Sequence, residues 1–396
     1  MRKPISTLCS SQLVSDDLEK LAEAEQSLPP EIEEKRRKGL LRTGYTTGTC
    51  ATAATKAALV AMITKKPVKE ITVTLPKDNT MTLSIKDCQF DGNSAQCVVI
   101  KYAGDDPDVT NGAEIVSTVS WTDNIGAVDI DGGKGVGRVT KPGIGLDIGK
   151  PAINPTPMKM ITNVVNEVAS EQLKNNGVKV VISVPKGEEL AKLTDNPRLG
   201  ILGGISILGT SGIVLPYSTG SFTASIRQGL DVAKAMGHDT VALTTGGRSD
   251  DFAREFLKLP EHCVVQMGDF AAYSVRQAAL KGMKKVIIAG FIGKLSKMAM
   301  GVKQTHVKGS HVDMEFLASV AKECGASDDL VNEIRKANTA RHVSEIIMEY
   351  KLSGYFDKVC EKVRAVMNEH TKGQVEIECV MFDFDSKVIG SYPHKI

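Results

Sequence analysis

The stretch Leu40–Ile63, LLRTGYTTGTCATAATKAALVAMI, constrains the fold more than any other. From about Thr49 to Ile63 Lys56 is its one charged residue, and Ala51, Ala53, Ala54, Ala57 and Ala58 supply small side chains. A helix with so little polar surface has no face to offer water, so it must be enclosed, and its alanines let other backbone approach closely. Ahead of it, a turn built on Gly44 and Gly48 carries Arg42, Thr43, Tyr45, Thr46 and Thr47, with Thr49 following. The unpaired N–H groups and partial positive charge of a helix start make a seat for a carboxylate or phosphate. A threonine cap on a core helix accounts for the same residues, and the spacing leaves both readings open.

At 396 residues the chain is long enough for two or three domains with buried cores. A net charge of +2 and an aromatic content of 5% give no signature of nucleic-acid binding. The eight cysteines contain no C-x-x-C pair and no zinc-like spacing, so they read as reduced thiols of a cytoplasmic protein. No apolar run is long enough for a signal peptide or a bilayer span, which predicts a soluble protein without a membrane partner. A homo-oligomer is compatible with all of this.

Residues 1–38 read as an extension: a short helix around Leu18, Leu21 and Ala22, a stop at Pro29-Pro30, then the solvated segment EIEEKRRK. Residues 39–187 read as an α+β domain. Its runs ITVTL (71–75), MTLSI (81–85), AQCVVIKYA (95–103) and GAEIVSTVSW (112–121) predict an antiparallel meander. Two glycine-rich turns, 131–139 and 141–157, lead to a helix at about 158–174 and a strand at 178–184. Residues 188–396 change character. After a glycine-rich junction and a helix starting near Thr219, strands at 240–245, 263–267 and 284–290 alternate with helices, which predicts a Rossmann-like α/β domain with a parallel sheet. Four further helices and a hairpin (375–382 with 387–392) complete it.

In such a sheet, ligands bind beyond the carboxyl ends of the strands. Those ends carry Thr244-Thr245-Gly246-Gly247-Arg248-Ser249-Asp250, then Gly268-Asp269, then Gly290-Phe291-Ile292-Gly293-Lys294. No Walker lysine pattern and no G-x-G-x-x-G after a strand accompanies them. Asp105, Asp106 and Asp108 cluster in a loop, suited to holding a metal, accepting a proton or facing a cationic sulfonium or amine, or else to plain turn formation. His306 and His311, five apart, are poorly spaced for a shared helical metal site, which leaves either a single histidine near a ligand as hydrogen-bond donor or base, or a plain surface histidine as the default.

Taken together, LRTGYTTGTCATAATKAA (41–58), AGDDPDVTNG (103–112), DGGKGVGRVTKPGIGL (131–146), PAINPTPMKMI (151–161), NPRLGILGGISILGTSGIV (196–214), TTGGRSD (244–250) and GKLSKMAMG (293–301) with Thr305-His306 resemble the cobalt-precorrin-5B (C1)-methyltransferase family of anaerobic cobalamin biosynthesis. The resemblance spans about residues 40–392, with departures at Asn111, Met158, His311 and Asp313. It implies methylation of ring carbon 1 of a tetrapyrrole, cobalt-precorrin-5B, with S-adenosyl-L-methionine as donor. Cobalt arrives with the substrate, so no protein metal site is expected. On this reading Thr245, Gly246, Gly247, Arg248, Gly268 and Asp269 hold the cofactor. Arg42, Thr46, Thr47, Thr49 and Arg198 hold substrate carboxylates, and Asp105, Asp106 and His306 are the catalytic candidates. A threonine- and glycine-rich loop feeding a small-residue helix also resembles small-molecule kinases of the galactokinase–homoserine kinase type, whose corresponding domain has the ribosomal protein S5 domain 2 architecture. A non-catalytic tetrapyrrole carrier is a third reading.

Overall fold

The computed structural model describes residues 15–26, 28–306 and 310–393. It encloses the helix Thr47–Thr64 on almost every side, with fourteen of its eighteen residues buried. Its alanine faces lie against the helix Pro155–Val168 and the strands Ser94–Ile100 and Glu114–Thr122. The hydroxyls inside this core are satisfied locally. Thr52 and Thr55 donate to the carbonyls of Gly48 and Ala51, each at 2.8 Å, and Thr55 also meets Ser117 Oγ at 2.8 Å. Lys56 reaches the surface and pairs with Glu167 at 2.7 Å.

The chain divides into two compact units, Lys38–Ser218 and the segment up to Arg37 together with Thr219–Ile396. The division falls at Ser218, not near residue 187 as the composition shift suggested. The glycine-rich junction therefore belongs to the first unit. There Ile201–Leu202 pairs with Arg138–Val139, Gly204–Ile205 with Gly135–Val136, and Ile213–Val214 with Gly44–Tyr45. Gly135 shows why these loops are rich in glycine: at φ +73° a Cβ would lie 1.9 Å from the Val184 carbonyl oxygen.

The main sheet of this unit runs Asp87–Phe90, Ser94–Ile100, Glu114–Thr122, Gly177–Ser183, Val128–Gly132. It is antiparallel except for the last pair. The expected meander is thus corrected. Glu70–Thr74 and Thr80–Ser84 form a separate two-stranded ribbon, and the unforeseen strand Asp87–Phe90 takes the hairpin position beside Ser94–Ile100. Asp91 closes that turn by accepting from the N–H groups of Asn93 and Ser94 at 3.1 and 2.8 Å.

In the second unit Val264–Gln266, Thr240–Thr244, Lys285–Phe291 and Glu376–Phe382 lie side by side in parallel, with Val388–Tyr392 antiparallel at the edge. The three strands expected to share a sheet do so. Alternate residues feed two separate cores. Val241, Leu243, Val286 and Ile288 join a large cluster with the helices Ala271–Leu280 and Tyr355–Thr371, and Ala242, Ile287 and Ala289 join a small one with Ala253. Burial on both faces is what makes these strands read as unbroken apolar runs.

The helix Ser15–Ala24 is not an appendage. It packs on Thr219–Ala235 and Ala271–Leu280, with Leu18 and Ala22 each 1% exposed in the large core. Glu25 pairs with Arg276 and Lys303, both at 3.1 Å, and Gln304 donates to the Ala22 carbonyl at 2.7 Å. The charged segment forms a second helix, Pro30–Arg37, with no buried residue. The part of the expected extension before Ser15 lies outside the described residues. Among those residues no helix is long and apolar enough to cross a membrane.

Candidate active site

The helix start at Thr46–Thr49 is built from the inside. Thr46 caps it, its Oγ1 accepting from the Thr49 N–H at 3.2 Å. The Gly48 N–H donates to the Leu208 carbonyl at 3.0 Å, and Thr46 N–H donates to that of Gly212 at 3.1 Å. Thr49 Oγ1 donates to the Gly212 carbonyl at 2.7 Å, and Thr47 Oγ1 accepts from the Leu208 N–H at 2.9 Å. All three threonines are buried. Hydroxyls and N–H groups expected to meet a carboxylate are thus engaged by one another and by the chain's own 206–212 segment. The phosphate-loop likeness loses its physical basis here, since that loop needs the same N–H groups.

Arg42 stands in front of this loop, and its side chain is 72% exposed. Its Nη2 lies 2.6 Å from Asp105 Oδ1, and its backbone N–H donates to Asp105 Oδ2 at 2.8 Å. A residue expected to bind substrate and one expected to act on it therefore hold each other. Asp106 accepts from the Tyr217 N–H at 2.9 Å. Burial raises its carboxyl above the ordinary aspartate value; that N–H opposes the rise and the Asp108 charge adds to it. Behind them Lys101, 2% exposed, pairs with Asp108. Burial pushes the Asp108 carboxyl up, but the Lys101 charge and the bonds from Lys101 and Thr110 outweigh it, leaving it below the ordinary value. Cys50, beneath this pair, is pushed up to about 12 by burial and stays a thiol. Arg198 lies in a turn of the same unit, its carbonyl accepting from Lys141 Nζ at 3.3 Å.

In the other unit the carboxyl ends of the parallel strands lie along one edge of the sheet. The chain passes from Thr240–Thr244 to Val264–Gln266 on one side, then to Lys285–Phe291 on the opposite side. This reversal places the topological switch point between Thr240–Thr244 and Lys285–Phe291. Thr245-Gly246-Gly247 borders it on one side and Phe291–Lys294 on the other. Lys294 Nζ spans it, donating to the Thr245 carbonyl at 2.6 Å and pairing with Asp269 Oδ1 at 2.9 Å. Thr305 Oγ1 meets the same Asp269 oxygen at 3.2 Å, and its N–H donates to the Asp269 carbonyl at 3.0 Å. At Gly246, Gly247 and Gly268 a Cβ would meet nothing within 4 Å, so this backbone lies open to a ligand. Ser249 Oγ accepts from the Gly246 N–H at 3.0 Å and fixes the turn.

Arg248 turns away from the turn: its Nη2 donates to the Phe384 carbonyl at 2.9 Å, and its guanidinium lies 5.5 Å from the Phe384 ring centre. His306 follows Thr305, its carbonyl accepting from the Ser310 N–H at 2.9 Å. Asp105 and Asp106 belong to the first unit and His306 to the second. Lys101, Lys297 and Lys294 hold buried or bridging positions that no spacing in the sequence marks. Lys297 is 4% exposed, with Nζ 3.3 Å from the Thr305 carbonyl. Burial lowers its pKa against the pull of Asp269, and Lys294 lowers it further. A lysine inside an apolar run, as in VVIKYA and LSKMAM, was the available signal, because a buried ammonium requires a partner.

The family model CbiD matches residues 33–216, and the model CbiD, C-terminal domain, matches residues 304–393. The chain belongs to the CbiD family. Its CbiD relatives include a protein from Geobacillus kaustophilus, 52% identical over 84% of this chain and 90% of its own length. Another, from Priestia megaterium, is 50% identical over 81% and 88%, and one from Leptospira interrogans serovar Lai is 46% identical over 88% and 95%. All three are named cobalt-precorrin-5B C(1)-methyltransferase. A solved structure of a cobalamin biosynthesis protein (cbiD) from Archaeoglobus fulgidus is 30% identical, covering 69% of this chain and 90% of that one, at a TM-score of 0.36. The CbiD matches bracket both the Arg42–Asp105 loop and Thr305-His306.

Proposed function

We propose that this chain transfers a methyl group from S-adenosyl-L-methionine to ring carbon 1 of cobalt-precorrin-5B, giving cobalt-precorrin-6A, in the cytoplasmic anaerobic route to cobalamin. The carrying observation is identity of 46–52% over most of both chains with proteins of that name. The topological switch point supports it: in a Rossmann-like unit this is the usual place for a nucleoside-bearing cofactor. S-adenosylmethionine, when bound, supplies an electrophilic methyl on a sulfonium. The residues fit such a ligand. Gly246, Gly247 and Gly268 leave backbone open, Asp269 accepts from hydroxyl or amino groups, and Thr245 and Lys294 close the floor. His306, next to Thr305 and thus near Asp269, is proposed to donate a hydrogen bond on the same side.

For the acceptor, Arg42 and Arg198 offer charge to its carboxylates, with Asp105 setting the direction of Arg42. Thr46, Thr47 and Thr49 serve indirectly, holding the loop from which Arg42 projects. Asp106, with its raised carboxyl, is the acid proposed to face the acceptor. Methyl transfer neutralises charge, so the residues act chiefly by aligning the partners.

Anaerobic incubation with a methyl-labelled donor, followed by mass spectrometry of the tetrapyrrole, tests the reaction. One labelled methyl per turnover is expected, and an unlabelled product set with only the tetrapyrrole bound would favour a carrier. Gly247→Val should abolish binding of S-adenosylhomocysteine in equilibrium dialysis, whereas Asp105→Asn should slow transfer and spare that affinity. Retained binding by folded Gly247→Val would move the cofactor elsewhere.

A further inference from the structure

At the amino ends of the strands, opposite the switch point, three donor side chains converge that no sequence spacing announces. His238 lies between the helix Thr219–Ala235 and the strand Thr240–Thr244, its backbone pinned by an N–H bond to the Ala233 carbonyl at 3.0 Å. His262 and Cys263 lie in the turn Glu261–Cys263, which leads into Val264–Gln266. The two strands pair in parallel, Ala242 opposite Val264, so the residues entering them are neighbours. The imidazole rings are 4.9 Å apart at 49°, and one ligand atom from each histidine and the cysteine sulfur all lie within 4.8 Å of one another. Cys263 is fully buried and the two histidines half-buried. The neighbouring acid, Glu261, is paired with Arg254 at 2.9 Å.

We infer that His238, His262 and Cys263 bind one Zn²⁺ ion in a three-ligand site that ties together the entrances to two strands. Two neutral imidazoles and a thiolate suit a borderline cation and disfavour Mg²⁺ and Ca²⁺, which take oxygen ligands. Tetrahedral zinc with bonds of about 2.0–2.3 Å places donors roughly 3.4–3.6 Å apart. The three donors therefore close by little more than about 1 Å, within reach of imidazole rotation. The half-buried side toward the histidines leaves the fourth position to a water. Binding displaces the Cys263 thiol proton to solvent, and the thiolate and two neutral rings leave the site with one net positive charge. The site stands apart from the strand ends where the methyl donor is placed, so its role is to stabilise the sheet.

The test uses the full chain, free of any affinity tag, stripped with chelator and then titrated with Zn²⁺ and with Co²⁺. One equivalent of zinc retained through dialysis is expected, with a melting temperature raised by zinc. Co²⁺ should give a thiolate charge-transfer band that Cys263→Ser removes. Should Cys263→Ser fail to fold, His238→Asn decides: it alters a half-buried side chain and should lower Zn²⁺ affinity at least tenfold. Absence of stoichiometric Zn²⁺ or Co²⁺ binding by the wild-type chain, or equal affinity in His238→Asn, overturns the site.

Discussion

Replacing Asp108 by Asn isolates the charge on which the acidic loop rests. The amide keeps an Oδ1 to accept from the Thr110 N–H and hydroxyl, now at 2.7 and 2.6 Å, but leaves the Lys101 ammonium, 2% exposed, without its counter-charge. Breaking a buried pair from one side costs about 3–5 kcal/mol. Asp108 is 25% exposed, so water screens part of the loss, and about 2–3 kcal/mol is expected. For a unit of this size that is a fall in melting temperature of about 4–12 °C. Lys101→Met with Asp108→Asn removes both charges and should recover most of it. The pH dependence has a definite sign. The Asp108 carboxyl titrates below its unfolded value in the native state, so its stabilisation is complete above about pH 4 and is lost as the pH falls through the lower native value. The gap between wild type and Asp108→Asn should be constant from neutral pH to about 5 and close below about 4. Scanning calorimetry from acid to neutral pH measures it. An Asp108→Asn chain melting within about 1 °C of wild type, or a double variant no more stable than the single, refutes the reasoning.

Leu18→Ala empties a buried site in the second unit and should cost about 2–5 kcal/mol in denaturant titration; a change under about 0.5 kcal/mol would mean the first helix is not docked. Thr47→Val leaves the Leu208 N–H without its acceptor and should cost about 1–3 kcal/mol, read as a lowered melting temperature. Gly290→Ala sets a Cβ 2.7 Å from Thr245, so it should weaken S-adenosylhomocysteine binding as well as stability; unchanged dialysis would show that Thr245 does not line the cofactor site.

Elements announced by their own periodicity were legible in the sequence. The enclosed helix was read at about 49–63 and observed at Thr47–Thr64. The alternation after Thr240 was enough for a parallel sheet, because both-face burial writes itself into each short strand. What local pattern does not carry is the identity of a distant partner. Leu18 and Ala22 read as one side of a short helix, and nothing near them says that their core begins beyond Thr219. The same holds for the threonines at 46–49. Their hydroxyls suited an anion as well as a carbonyl until Leu208 and Gly212 were placed beside them. Asp87–Phe90 escaped because its inward residues, Cys88 and Phe90, are only half-buried. Lys294 was visible at a strand end, but its bridge from Thr245 to Asp269 exists only once the strands are ordered.

The discontinuous second unit also sets a timetable for synthesis. The helix Ser15–Ala24 leaves the ribosome early, yet its seat on Ala271–Leu280 is made roughly 250 residues later, about 12–50 s at ordinary elongation rates. Throughout that interval the whole of Lys38–Ser218 can fold while the first helix waits with its apolar side uncovered. The nascent chain therefore carries its own sticky leader past a completed domain, and holding that leader soluble becomes a task for whatever binds the growing chain.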